Sequence, residues 1–183
     1  MRPLLKFSNV TLRRGGRLLL EGLDLELGPG EALHVTGPNG SGKSSLLRLA
    51  AGLLRAERGS VERSSIAMAD DAIALDRELP LKRALKFWVA PVEPAMDPLG
   101  LTHLADVPVR LLSSGQAKRA TLARVAASGA PLWLLDEPLN GLDADAMRRL
   151  GALMVENRAR GGAVVAASHQ PMPGEWKQLE LGA

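Results

Sequence analysis

The sequence predicts an α/β fold with a parallel core sheet, an N-terminal antiparallel β region and a small helical subdomain. Three observations lead to it. Short apolar runs alternate with longer stretches of helical periodicity through the second half of the chain, the pattern of parallel strands joined by crossover helices. The N-terminal region instead alternates apolar and charged residues at period two, as a strand with one buried face does. Residues 67–113 carry Pro80, Pro91, Pro94, Pro98 and Pro108, which cut that stretch into short pieces.

Taken in order, 23–27 reads Leu-Asp-Leu-Glu-Leu and ends at the turn Gly28-Pro29-Gly30, a hairpin-like antiparallel opening. Ala32–Thr36 is a short apolar strand followed by a glycine-rich loop. A helix is then expected over 44–54, where Leu46, Leu47, Ala50 and Leu54 share one face. Within the proline-rich stretch, Leu81, Ala84, Leu85 and Trp88 mark one amphipathic helical piece. A helix over 114–128, a buried strand over 132–135, a helix over 143–160 and a buried strand at Ala163–Ala167 complete the alternation. In such sheets ligands bind beyond the carboxyl ends of the strands, and the motifs fall at those ends.

Composition bounds the function. The chain of 183 residues fits one domain over 1–183, with the helical subdomain at approximately 70–128. Hydrophobic residues at 46% and charged residues at 23% exclude a disordered or collagen-like chain. Cysteine is absent, which removes disulfides, thiolate metal sites and a cysteine nucleophile together. The longest apolar stretch, 46–54, is broken by Arg48 and is shorter than the ~18–20 residues that span a bilayer. The N-terminus has no long apolar run behind its basic residues, so a cytoplasmic location is expected. A net charge of only +3, with Lys and Arg scattered, points to an acidic partner at most, and 3% aromatics with no Tyr argue against a base-stacking nucleic-acid platform, so no nucleic-acid partner is expected.

Gly37-Pro38-Asn39-Gly40-Ser41-Gly42-Lys43-Ser44 is a phosphate-loop pattern, followed by Ser45, and it lies between a strand and a helix as its mechanism requires. The glycines let backbone amides turn around a phosphate chain, and the helix N-terminus adds partial positive charge. Lys43 is placed to reach β and γ phosphates, and the Ser44 hydroxyl to hold Mg²⁺. The strand at 132–135 runs into Asp136 and Glu137; two carboxylates beside an apolar run are costly unless a cation or proton network uses them. Asp136 fits a magnesium-supporting carboxylate, and Glu137 the residue that orients the attacking water.

With these motifs on the page, the chain resembles the ATP-binding subunit of an ABC transporter, a P-loop NTPase cassette. Leu112-Ser113-Ser114-Gly115-Gln116 resembles the family's signature loop, Gly141-Leu142-Asp143 its D-loop, and Ser168-His169 its switch histidine after a terminal strand, all in the family's order. Asp143 alone reads as a helix cap and His169 alone as a surface histidine. The resemblance implies Mg²⁺-dependent ATP hydrolysis, with Ser44 as a metal ligand, Asp136 as one through water, and Glu137 and His169 as catalytic residues. It also implies that two copies sandwich two ATP molecules, with the phosphate loop of one facing Ser113, Ser114, Gly115 and Gln116 of the other. Separate transmembrane subunits would dock on residues 70–100, where Phe87 or Trp88 would either anchor them or belong to the core, and the chain would sit peripherally on the cytoplasmic face of the inner membrane.

The chain departs from the family pattern in three places. Ser114 stands where glycine is usual, no glutamine lies between phosphate loop and signature, and no aromatic near residue 14 is present to stack on adenine. Asp70 or Asp71 is the candidate replacement for the glutamine, and Arg14 for the aromatic. Within the family, the run Ala130-Pro131-Leu132-Trp133-Leu134-Leu135-Asp136-Glu137-Pro138 and the short tail after His169 look most like the ATP-binding subunit of the cytochrome c biogenesis exporter, a haem export system. Haem itself is not expected as a ligand, since the only imidazoles are His34, His103 and His169 and cysteine is absent. The alternatives are an ATPase subunit serving another substrate, a soluble ABC ATPase without a membrane partner, and a regulatory module that binds ATP but barely hydrolyses it.

Overall fold

The computed structural model describes residues 2–72, 74–89 and 91–182. Two sheets organise the chain. In the first, β1 (Leu5–Arg14) pairs antiparallel with β2 (Arg17–Leu27) and, on its other edge, with β4 (Arg58–Arg63). In the second, β3 (Ala32–Thr36), β5 (Ile66–Ala69), β6 (Leu132–Asp136), β7 (Ala163–Ala167) and β8 (Lys177–Glu180) are all parallel, in the order β5-β6-β7-β3-β8. Every residue of β6 and β7 is buried, which accounts for their unbroken apolar sequences: strands covered on both faces have no polar side to alternate with.

The helices cover that sheet. α1 (Lys43–Ala51) buries Leu46, Leu47, Leu49 and Ala50 in a cluster with Leu33, Val35, Leu132, Leu134 and Val165. The expected extension to Leu54 does not form. Gly52 takes a left-handed conformation (φ +77°) and returns its N–H to the carbonyls of Arg48 and Leu49, a C-terminal cap that glycine adopts without steric cost. Leu54 still packs against the same cluster, from the loop beyond.

Between β5 and β6 lie α2 (Leu81–Lys86), α3 (Glu93–Met96), three single 3₁₀ turns and α4 (Ser114–Ala127). Their buried residues, among them Leu81, Leu85, Met96, Leu99 and Leu101, share a second cluster with Trp133 and Leu135 from β6. The helical piece thus packs on the opposite face of the core sheet from α1. α5 (Ala144–Ala159) follows, buried through Ala146, Leu150 and Met154. Among the described residues, no helix is long and apolar enough to cross a membrane.

One irregularity fixes the antiparallel sheet. Between the pairs Ser8–Ser60 and Thr11–Arg58, two residues of β1 face one of β4, a bulge in which Asn9 adopts φ +50° and its N–H donates to the Asp24 carboxylate at 2.8 Å. The single residue opposite is Gly59 at φ +82°, and a Cβ there would overlap the carbonyl oxygens of Ser8 and Asn9. Glycine is therefore required by both backbone angle and space. Gly59→Ala is expected to cost about 1–3 kcal/mol, read as a fall in the denaturant midpoint without a change in slope.

Candidate active site

The parallel register brings four strand ends to one edge. Ala69 pairs with Leu135, Asp136 with Ala167 and Val35 with Ala167. Immediately past those pairs, Glu137 N–H donates to the Ala167 carbonyl at 2.8 Å and Ser168 N–H to that of Val35 at 3.2 Å. The loop after β3, the pair Asp136-Glu137 after β6, Ser168-His169 after β7 and Asp70-Asp71 after β5 consequently emerge side by side.

Asn39, Lys43, Ser44, Asp136, Glu137 and His169 line one cleft of about 270 Å³ with Gly40, Gly42, Ser45, Leu19 and Asp71. Gly37, Pro38 and Ser41 belong to the same loop but do not line the cleft; Ser41 is buried. Gly42, the residue before α1, is left-handed (φ 109°) and offers no side-chain cap. The first amides of α1 therefore have no side-chain acceptor from that position, an arrangement suited to an anion. Lys43 lies back over its own loop. Its Nζ donates to the carbonyls of Gly37 at 2.8 Å and Pro38 at 3.1 Å, and stands 3.2 Å from His169 Nε2. That same Nε2 lies 2.8 Å from Asn39 Oδ1 and 3.6 Å from Glu137 Oε1. One ring nitrogen serves one role at a time: it accepts from Lys43 as a lone pair or donates to Asn39 as N–H.

Glu137 itself has φ +44°, a left-handed angle that is uncommon for a residue with a long side chain. It is over-determined by its N–H bond to Ala167 and by the turn closed from Asn140 N–H to its carbonyl, so the chain reverses at once after β6 and leaves the carboxylate in the cleft.

Three carboxylates, Asp71, Asp136 and Glu137, line this cleft together. Behind them lies a cation that sequence reasoning missed. Lys118, on the second turn of α4, donates from Nζ to the Asp136 carbonyl oxygen at 3.0 Å and lies 4.0 Å from Asp71 Oδ1. Burial pushes the Lys118 ammonium below its usual range, against the pull of Asp71, Asp136 and Glu137. The available signal was a single lysine one turn past the signature loop, which reads like any other surface lysine in a helix.

The remaining signature and D-loop residues lie elsewhere. Ser113, Ser114, Gly115, Gln116 and Asp143 line a second cleft of about 330 Å³ that shares no lining residue with the first. Ser113 caps α4 reciprocally with Gln116: Gln116 N–H donates to Ser113 Oγ at 3.3 Å, and Ser113 N–H to Gln116 Oε1 at 2.9 Å, a capping box. Asp143 caps α5 by accepting from Ala146 N–H at 2.8 Å. A Cβ on Gly115 would stand 2.6 Å from the Gly141 carbonyl oxygen, so the signature loop and the D-loop touch through backbone. Glycine is needed there, whereas Ser114 fits where it stands.

Of the two candidate replacements for the absent glutamine, Asp71 lines the first cleft, while the Asp70 carboxylate accepts from Ala72 N–H. Arg14 does not line the cleft; Leu19 does, in contact with Gly42. The reason is the β1–β2 turn at Gly15-Gly16, which leaves Arg14 exposed at the end of the hairpin.

The Asp136 carboxyl is held above its ordinary value of 3.8, chiefly because burial disfavours the anion; the Ser44 hydroxyl and Lys118 oppose the rise, and Asp71 and Glu137 add to it. A carboxyl whose folded pKa is raised costs stability as pH climbs from the unfolded value through the folded one. Without nucleotide or divalent metal, Asp136→Asn is therefore expected to melt above the parent near pH 7. The gap should close as pH falls below 3.8, where both states become protonated; thermal melts across that range measure it.

The chain is similar to known proteins over most of its length. A family model described as ABC transporter matches residues 20–140. The cytochrome c biogenesis ATP-binding export protein CcmA of Sphingopyxis alaskensis is 55% identical over 177 residues, covering 92% of this chain and 91% of that protein. The protein of the same name from Novosphingobium aromaticivorans is 55% identical over 169 residues, covering 90% and 88%. A solved structure described as the ATP binding subunit of an ABC transporter superposes with a TM-score of 0.83 at 22% identity, over 91% of this chain and 79% of that one, a likeness of fold. The chain belongs to the ABC transporter family and, within it, to the cytochrome c biogenesis ATP-binding export proteins.

Proposed function

We infer that this chain is the ATP-hydrolysing subunit of a membrane ABC complex that powers cytochrome c-type biogenesis or haem export. The observation that carries the reading is the single cleft in which Lys43, Ser44, Asp136, Glu137 and His169 meet at the carboxyl ends of the parallel strands.

The loop from Gly37 to Ser45 and the first turn of α1 would hold the phosphate chain through backbone amides. Lys43 would exchange its bonds to the Gly37 and Pro38 carbonyls for bonds to phosphate oxygens, stronger because both partners are charged. The Ser44 hydroxyl and the Asp136 carboxylate are hard oxygen donors suited to Mg²⁺, Asp136 through a water. When bound, the ion neutralises charge on the β and γ phosphates. Glu137 orients the attacking water in line and accepts its proton, while His169 spans Glu137 and the terminal phosphate. This catalysis is positioning and electrostatics more than covalent chemistry.

The signature cleft lies apart from the phosphate loop on the same chain, which favours a site completed by a second copy. Ser113 and the amides at the start of α4 would then donate to the γ phosphate held by the partner, so that ATP joins the two copies and hydrolysis releases them. Toward the membrane, an apolar cleft of about 350 Å³ beside α2 is lined by Leu75, Leu79, Ala84, Phe87 and Trp88. Phe87 is 83% exposed. This face is suited to anchoring separate transmembrane subunits, which would hold the chain on the cytoplasmic side of the inner membrane.

Glu137→Gln should retain nucleotide and accumulate as an ATP-bound dimer with turnover reduced by at least roughly 100-fold. Lys43→Ala should lose nucleotide binding. Gel filtration with ATP separates the two; a Glu137→Gln protein that stays monomeric would sink the sandwich reading. Pull-down of tagged Glu137→Gln from native membranes in ATP should recover small polytopic subunits with cytochrome c maturation components. Recovery of unrelated permeases instead would keep the ATPase and discard its assignment to cytochrome c biogenesis.

A further inference from the structure

We propose that the exit of the last strand, Leu181-Gly182, braces the phosphate loop from outside, and that Gly182 is a positioning residue for nucleotide binding. The proposal rests on reading the loop at 37–45 as the nucleotide site.

β8 runs parallel to β3 with Glu180 paired to Thr36, and the ladder continues one bond further, from Leu181 N–H to the Thr36 carbonyl at 2.9 Å. The C-terminal segment therefore lies alongside the first residues of the loop. Leu181 is 6% exposed and belongs to the cluster that holds α1 and β3, which anchors the segment. Gly37, at φ +136°, is pressed against it: a Cβ there would overlap the Leu181 carbonyl oxygen. Gly182, at φ +76°, stands against the same loop, and a Cβ on it would meet Ser41 Cβ at 3.2 Å and the Pro38 ring at 3.9 Å. Between these two glycines Ser41 is buried, its hydroxyl without a hydrogen-bond partner among the described residues. Packing against the segment, in place of side-chain hydrogen bonding, thus sets where Ser41 stands.

The loop is consequently gripped on two sides. Lys43 holds the Gly37 and Pro38 carbonyls from within the cleft, and on phosphate binding that grip would be given up. Leu181-Gly182 touches the same residues and Ser41 from outside and does not depend on Lys43. A loop whose backbone donors remain in place when Lys43 turns to the phosphate loses less conformational freedom on binding.

The test is equilibrium binding of ADP to the full chain in buffer without divalent metal, beside thermal melting. Gly182→Val should weaken ADP binding by roughly tenfold, with faster amide hydrogen exchange confined to residues 37–42. Gly174→Val is the matched control, because Gly174 has φ +90° with open space around a Cβ; it should leave ADP affinity at the parent value. A chain ending at Glu180 keeps β8 and should show the same loss of affinity as Gly182→Val, which keeps the test valid if valine there prevents folding. Unchanged affinity in both Gly182→Val and the shortened chain, with Lys43→Ala abolishing binding, would overturn the brace and leave the nucleotide site standing. Unchanged affinity in Lys43→Ala would instead overturn the site itself.

Discussion

The register of three parallel strands is the constraint on which the rest of this structure depends. β6, β7 and β3 are hydrogen-bonded so that Asp136 and Val35 both pair with Ala167, and the loops that carry Lys43, Glu137 and His169 depart next to that level. A parallel strand cannot slide by one residue without exchanging its two faces. Both faces here are apolar and packed, against α1 on one side and the helical piece on the other. Burial of leucine and valine side chains, each contributing about 1.5–3 kcal/mol, thus acts indirectly on chemistry by holding a lysine, two carboxylates and a histidine at one edge.

The charged groups at that edge are held by backbone more than by each other. Glu137 is aimed by a left-handed residue and two main-chain bonds, Lys43 rests on main-chain carbonyls, and Lys118 reaches the main-chain oxygen of Asp136. This leaves the Lys43 side chain able to exchange neutral carbonyls for other oxygen acceptors at modest cost, since its carbonyl partners carry no charge.

α4 joins the two clefts mechanically. It begins at the signature cap of Ser113, touches the D-loop where Gly115 meets Gly141, and one turn later Lys118 bonds the end of β6. Two turns further, Arg124 donates to the Met68 carbonyl on β5 and lies 4.8 Å from the centroid of Trp88 in the apolar cleft beside α2. A displacement of this helix would be felt at β6, at β5 and at the aromatic face together, since a packed helix moves as a rigid piece.

Much of this was legible in the sequence because its signals are local. The phosphate loop needs glycines at fixed spacing before a helix, the buried strands cannot alternate, and Ser113 with Gln116 announces a helix start by spacing alone. The helix after the loop was overextended to Leu54 because Leu54 keeps the apolar period while Gly52 breaks the backbone, and periodicity does not register a left-handed angle. The sequence reading names none of β1, β4, β5 and β8: the bulge at Asn9 interrupts the alternation of β1, β4 is largely exposed and charged, and β5 and β8 are four residues each, too short for a pattern to stand out. The family, its motif order and the residues of the phosphate loop were therefore determined by the sequence itself. Which acidic residue enters the cleft after β5, that Leu19 lines it in place of Arg14, that Lys118 stands behind the carboxylates, and that Leu181-Gly182 lies against Gly37 and Ser41 were decided only by tertiary structure. Each of those is a contact between residues far apart in the chain, set by strand order and register, and local spacing carries no information about either.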